Sequence, residues 1–153
     1  MRVLLDTNVL LRMASPSHPM HVEAVSAVQR IRAAGNQPVI VPQVLYEYWV
    51  VATRGLPLNG LGLTPAQARL AVDEFTTNLT LLLDERGIFA NWIAVVTDNS
   101  VAGKLAHDAR LVAAMARHGI TTIVTFNPAI LHDFPASRFW NRNKCFERKR
   151  TES

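Results

Sequence analysis

The fold is decided by the stretch Arg2-Val3-Leu4-Leu5-Asp6-Thr7-Asn8, in which a short apolar run ends on a carboxylate. No polar residue interrupts the run from Val3 to Leu5, which is typical of a strand buried on both faces. Asp6 stands where such a strand would end, and the ligand crevice of an open α/β sheet lies outside its carboxyl edge. Asp6 is therefore either the cap of a following helix or a metal ligand.

Strand and helix signals alternate along the rest of the chain. Further strands are predicted at 38–41, 80–83 and 121–125, the last of them rich in β-branched residues. Apolar spacing and capping signals predict helices at 21–34, 43–53, 66–78, 88–96 and 104–118, with single helical turns at 9–11 and 129–131. We expect Val22 to lie on the apolar stripe of its helix and Trp92 to be a large core residue. This order predicts an α/β fold with a mostly parallel sheet and helices on both faces.

Composition limits the class of protein. The chain has 153 residues, of which 49% are hydrophobic and 18% charged, as expected for one globular domain. No apolar run has the length of a membrane span or a signal peptide. The single cysteine, Cys145, excludes an internal disulfide and a cysteine-based zinc site. We therefore expect a cytoplasmic protein that does not contact a membrane.

The net charge of +4 is concentrated near the C-terminus. Six basic residues lie between Arg138 and Arg150, against the single acid Glu147, and three aromatic residues are interleaved with them. Basic and aromatic side chains together suit contact with phosphates and stacking on bases. The same composition is equally typical of a solvated tail, so it permits a nucleic-acid partner without requiring one.

Two of the twelve acidic residues lie on apolar helical faces. Glu47 points between Val50 and Val51 and has no cation one turn away with which to pair. The alternative is that Glu47 is an exposed residue on a helix with few charges. Asp108 shares a stripe with apolar residues in the first turns of its helix, where Lys104 offers an alternative surface ion pair. Three inward carboxylates, Asp6 included, would repel one another without a cation. Oxygen ligands favour Mg²⁺ or Mn²⁺ over Zn²⁺.

The residues around these acids have supporting roles in this hypothesis. We expect Thr7 and Asn8 to cap the helix after the first strand, which leaves the Asp6 carboxylate free for the ion. The last strand ends in Thr125-Phe126-Asn127, which brings a hydroxyl and an amide to the same sheet edge as Asp6. His107 is predicted to be structural or at the surface, and Arg110 to point away from Asp108.

Four short motifs in this order resemble the PIN-domain ribonucleases, and most closely the VapC toxins of toxin–antitoxin pairs. They are Leu4-Leu5-Asp6-Thr7-Asn8, Glu47 on the helix after the second strand, His107-Asp108-Ala109-Arg110-Leu111-Val112-Ala113, and Val124-Thr125-Phe126-Asn127. The resemblance extends from Arg2 to about Phe134. It implies a PIN-like three-layer α/β/α domain over residues 1–137, with a mostly parallel sheet of four or five strands, followed by a basic tail at 138–153.

The resemblance also implies a function. It indicates a metal-dependent endoribonuclease that hydrolyses RNA phosphodiester bonds as the toxin of a type II toxin–antitoxin pair, with an antitoxin partner and usually a homodimeric state. Asp6, Glu47 and Asp108 match the acidic residues that bind Mg²⁺ or Mn²⁺. Asn127 completes the predicted catalytic set at a position where many members carry a fourth acid. Thr7, Asn8 and Thr125 match residues that support the metal ligands, and Asp133 resembles a further acid of the family.

Other classes remain open on the sequence. A catalytically inactive PIN-fold domain that binds nucleic acid or acts as a scaffold would carry the same motifs, and Asn127 favours it. A phosphatase or phospho-acceptor domain also places an aspartate after its first strand, but it usually needs a second aspartate nearby or a lysine after a later strand. The apolar residues Tyr46, Trp49 and Val50 form either core or a dimer face, and we expect core.

Overall fold

The computed structural model describes residues 1–127, which form a four-stranded sheet surrounded by helices. The predicted turn at 129–131, Asp133 and the basic tail at 138–153 lie outside the described residues. The strands are β1 (Arg2–Leu5), β2 (Gln37–Ile40), β3 (Thr80–Leu81) and β4 (Ile123–Val124). The helices are α1 (Thr7–Met13), α2 (His21–Ala33), α3 (Pro42–Thr53), α4 (Pro65–Asn78), α5 (Gly87–Asp98) and α6 (Leu105–Arg117), with a 3₁₀ turn at Leu56–Leu58. Across residues 1–127, none of these helices is both long and apolar enough to cross a membrane.

The strand order places β1 at the centre of the sheet. The order is β3-β2-β1-β4, and every pair of neighbours is parallel. The chain adds β2 and β3 on one side of β1 and then returns to add β4 on the other side. The direction of winding thus reverses between β1 and β4, which is where open α/β sheets bind ligands. The predicted three-layer α/β/α fold is confirmed, and Asp6 follows β1 at this crevice.

The core forms around the two inner strands. Val3, Leu4 and Leu5 of β1 have no solvent exposure, because helices cover both faces of the sheet. On α3, a stripe that includes Tyr48 faces inward, and the Tyr48 ring meets the Phe75 ring of α4 edge-on at 5.1 Å. This packing fixes α3 against the sheet and so fixes the direction in which Glu47 projects.

The outer face of α3 differs from the sequence-based expectation. Tyr46 and Val50 are 63% and 56% exposed, and Trp49 is also exposed, so the prediction that these residues are core is wrong. In a helix that is apolar nearly all round, periodicity does not reveal which stripe meets the sheet. The buried stripe runs through Val44 and Tyr48, whereas Tyr46 lies on the outward face of the helix.

The ends of several elements also differ from prediction. The third strand stops at Leu81 rather than at residue 83, because it pairs only with β2 at the edge of the sheet and Leu83 is exposed. Trp92 is half-buried rather than a core residue, and its indole N–H donates to the Ala106 carbonyl at 2.9 Å. Val22, the second residue of α2, is exposed rather than on the apolar stripe, since the buried stripe of α2 starts at Ala24.

Candidate active site

Asp6 caps α1 and lies at the centre of a polar network. Asp6 is the N-cap residue of α1, and its Oδ1 accepts a hydrogen bond from the Thr7 backbone N–H at 2.7 Å. The Thr125 hydroxyl and the Asn8 amide donate to Asp6 Oδ2 at 2.6 and 2.8 Å. The expectation that Thr7 and Asn8 cap the helix is therefore wrong, because the N-cap residue is Asp6. Asp6 has the extended backbone of an N-cap, whereas Thr7 is already helical.

Asn8 joins the ends of β1 and β4. Its side-chain oxygen, Oδ1, accepts a hydrogen bond from the Phe126 backbone N–H at 3.0 Å. Because that backbone group can only donate, the amide nitrogen of Asn8 must point toward Asp6 and toward the Thr125 hydroxyl, which is 3.0 Å away. Asn8 therefore links the end of β4 to the Asp6 carboxylate at the end of β1.

Glu47 approaches the same crevice from α3. Its Oε2 accepts a hydrogen bond from the Thr7 hydroxyl at 2.7 Å, and its Oε1 accepts one from the Gln43 amide at 2.8 Å. Thr7 thus lies between the two carboxylates, with its backbone bonded to Asp6 and its hydroxyl bonded to Glu47. The three predicted supporting residues, Thr7, Asn8 and Thr125, all lie within hydrogen-bonding distance of Asp6 or Glu47.

The Asp6 carboxylate is buried beside a second carboxylate, that of Glu47. Burial raises the pKa of Asp6 above its ordinary value, and the charge of Glu47 raises it further. The hydrogen bonds from Thr125, Thr7 and Asn8 act in the opposite direction without reversing the shift. These hydrogen bonds therefore offset only part of the effect of burial on the charged form of Asp6. The two carboxylates are a donor set that suits a divalent ion, since Mg²⁺ is commonly held by only one or two carboxylates with water and substrate phosphate.

Asp108 lies near this group but does not complete a three-ligand cluster. It is partly buried in the first turn of α6, next to His107, whose backbone carbonyl accepts a hydrogen bond from Gln43 at 2.9 Å. Among residues 1–127, no group of three or more His, Cys, Asp or Glu side chains is placed to hold a metal ion. The structure thus brings Asp6 and Glu47 together without preassembling all three predicted acids as a metal cage.

The remaining predicted residues differ in their exposure and contacts. Asn127 is exposed, and its backbone N–H donates to the Thr125 hydroxyl at 3.0 Å. The side chain of His107 is exposed, as predicted. Arg110 forms an ion pair with Asp84 at 2.9 Å and donates to the Gln43 carbonyl oxygen at 3.1 Å.

Sequence reasoning missed Gln43 and Arg12 as members of this region. Gln43 is a buried polar residue four positions before Glu47, and that polar interruption on an apolar helix was the signal available. Arg12 stacks over the Phe126 ring at 4.0 Å and is close enough to Asp6 to interact with its charge. Burial lowers the pKa of Arg12, and the charge of Asp6 opposes that shift. A cation therefore already lies beside the acidic crevice.

The fold and site together define a parallel α/β domain with an acidic centre at its topological switch point. The PIN domain family model matches residues 3–134, and the chain belongs to that family. It is 29% identical over 126 residues to the ribonuclease VapC48 of Mycobacterium tuberculosis, a match that covers 77% of this chain and 82% of the relative.

Solved structures share the fold at low sequence identity. One is VapBC2 from Rickettsia felis bound to a DNA fragment from its promoter, with a TM-score of 0.64, 16% identity and coverage of 88% of this chain and 94% of that one. Another is VapC20 of Mycobacterium tuberculosis, described as a toxin that cleaves the sarcin-ricin loop, with a TM-score of 0.60, 18% identity and coverage of 84% and 92%. A toxin–antitoxin complex from Klebsiella pneumoniae has a TM-score of 0.58, 19% identity and coverage of 93% and 98%. These likenesses establish the fold.

Proposed function

We propose that this protein is a Mg²⁺- or Mn²⁺-dependent endoribonuclease and the toxin of a type II toxin–antitoxin pair. The observation that carries the proposal is the joined network of Asp6 and Glu47 at the switch point between β1 and β4. The family assignment and the relative named as a ribonuclease support RNA as the substrate. The named relatives also favour the PIN class over the phosphatase alternative.

In this proposal Asp6, Glu47 and Asp108 bind the cation, and Asn127 completes the catalytic set. When bound, the cation lowers the pKa of a water molecule and neutralises charge on the scissile phosphate. Thr7 and Thr125 hold the carboxylates in place by hydrogen bonds, as residues around metal ligands commonly do. No side chain of the protein has to act as a nucleophile in this proposal.

An antitoxin is the proposed protein partner, and a second copy of the chain is proposed to form a homodimer in the cytoplasm. Several structural relatives are VapBC or toxin–antitoxin complexes, which supports an antitoxin. The exposed apolar face of α3, with Tyr46, Trp49 and Val50, supports a protein interface.

Asp6→Asn tests the catalytic proposal. The variant should stay folded and lose metal-dependent cleavage of RNA, because a neutral amide is a poor ligand for a divalent cation. Asp73→Asn is the matched control, since Asp73 is an exposed acid paired with Arg69 on α4, and it should cleave like the wild type. Full activity in a folded, nuclease-free Asp6→Asn preparation would refute the proposed mechanism.

The alternative is an inactive PIN-fold domain that binds nucleic acid or acts as a scaffold. The absence of a three-ligand cluster within residues 1–127 and the amide at Asn127 are the observations that favour it. Calorimetric titration with Mn²⁺ separates the two functions. The proposed enzyme binds the ion and loses binding in Asp6→Asn, whereas an inactive scaffold binds none.

A further inference from the structure

We propose that Gln43 is a positioning residue for the metal site, and that Arg110 fixes its amide in the orientation this role requires. The inference rests on the proposed metal-dependent function. Gln43 is a glutamine only 7% exposed among the buried, mostly apolar residues of the first turn of α3. A buried amide costs free energy unless its polar atoms are bonded.

Both donor hydrogens of Gln43 are used at the site. Its amide nitrogen donates to Glu47 Oε1 at 2.8 Å and to the backbone carbonyl of His107 at 2.9 Å. The first bond holds the Glu47 carboxylate, whose other oxygen is held by Thr7. The second bond joins α3 to the first turn of α6, one residue before Asp108. One amide therefore connects α3, which carries Glu47, to α6, which carries Asp108.

Arg110 determines which way this amide points. Its guanidinium donates to the carbonyl oxygen of Gln43 at 3.1 Å, and its other terminal nitrogen pairs with Asp84 at 2.9 Å. Arginine has donors only, so a flipped amide would place two donors against each other. The flip would also turn the amide oxygen toward the Glu47 carboxylate and the His107 carbonyl, which are both acceptors. Arg110 and Glu47 thus require the same orientation.

The consequence is that Glu47 is held ready for a cation by neutral donors, one on each carboxylate oxygen. A neutral donor orients the carboxylate without cancelling its charge, whereas a lysine or arginine at the same place would compete with the metal. Residues that orient metal ligands typically change metal affinity 10–100-fold when they are replaced.

Gln43→Met tests the proposal, because methionine has a similar length and no amide. We expect Mn²⁺ affinity, measured by calorimetry, to fall about 10–100-fold while thermal unfolding still shows a cooperative domain. Gln29→Met, at an exposed position of α2, is the matched control and should bind Mn²⁺ like the wild type. Wild-type affinity in a folded Gln43→Met variant would overturn the positioning role.

Arg110 variants test the orientation independently, even if Gln43→Met fails to fold. Arg110→Met should weaken Mn²⁺ binding, and Arg110→Lys, which still presents only donors, should largely restore it. Arg117→Met removes the neighbouring ion pair of α6 with Glu85 and should leave the affinity unchanged. Equal losses in Arg110→Met and Arg117→Met would overturn the role of Arg110.

The wild-type titration distinguishes the two levels of failure. Mn²⁺ binding by the wild type together with undiminished binding by Gln43→Met would refute this inference alone. No Mn²⁺ binding by the wild type would refute the metal-dependent function and, with it, the role of Gln43. The expected pattern is binding by the wild type, Gln29→Met and Arg117→Met, and weakened binding by Gln43→Met and Arg110→Met.

Discussion

At the scale of single residues, two threonines beside β4 have opposite surroundings. The Thr125 hydroxyl donates to Asp6 and accepts from Asn8, whereas the buried Thr122 hydroxyl has no hydrogen-bond partner among residues 1–127. We predict that Thr122→Val raises the free energy of unfolding by about 1 kcal/mol, because an unpaired buried hydroxyl is removed.

The same substitution at Thr125 should impair the proposed site. Thr125→Val should lower RNA cleavage and Mn²⁺ affinity by about 10–100-fold, because Asp6 loses the donor that orients it. Urea denaturation and cleavage assays on both variants check the pair. Similar effects of the two substitutions on cleavage would contradict the role assigned to Thr125.

The raised pKa of Asp6 predicts how the free energy of unfolding depends on pH. Its pKa is raised above 3.8 in the folded protein, so between 3.8 and the raised value the folded state binds more protons than the unfolded state. The free energy of unfolding therefore falls as pH rises through that interval. In metal-free buffer, the stability of the wild type relative to Asp6→Asn should decrease from acid toward neutral pH. Chemical denaturation at a series of pH values measures this difference, and a rise with pH would contradict the prediction.

At the scale of elements, α4 begins with a complete capping box. The Thr64 hydroxyl accepts from the Gln67 backbone N–H, and the Gln67 side chain accepts from the Thr64 backbone N–H. Thr64→Ala should lower the free energy of unfolding by about 1 kcal/mol. Thr77→Ala, near the other end of α4, removes only a hydroxyl bonded back to the Asp73 carbonyl and should change stability less. Urea denaturation of both variants makes the comparison, and equal losses would contradict it.

Sequence patterns predicted the helices and strands better than they predicted the contacts between distant residues. The buried run of β1 and the Thr64-Pro65 helix start were readable because each depends on neighbouring residues. The cap at Asp6 was considered and then assigned to Thr7 and Asn8, because a carboxylate at a strand end suits two roles. The role of Gln43 was not predictable, because it depends on α6, which lies more than sixty residues away in the sequence.

At the scale of the whole molecule, the exposed face of α3 predicts self-association. Wild-type protein should have a mass near twice 17.0 kDa in light scattering, and Val50→Glu should reduce it to that of one chain, since a charge in an apolar interface must be desolvated. Val22→Glu is the matched control, because Val22 is exposed on α2, and it should remain a dimer. A monomeric wild type, or a dimeric Val50→Glu variant, would contradict the proposed homodimer.

The hydrogen bond between Asp6 and Thr125 joins residues that are 119 positions apart in the chain. Contacts of such long sequence separation form late in folding, because a large loop must close first. During synthesis, at roughly 5–20 residues per second, Asp6 leaves the ribosome many seconds before Thr125 does. The hydrogen-bonded Asp6 centre therefore cannot assemble on a nascent chain until β4 has been made, and a growing chain that lacks β4 carries an unfinished site beside the translation machinery.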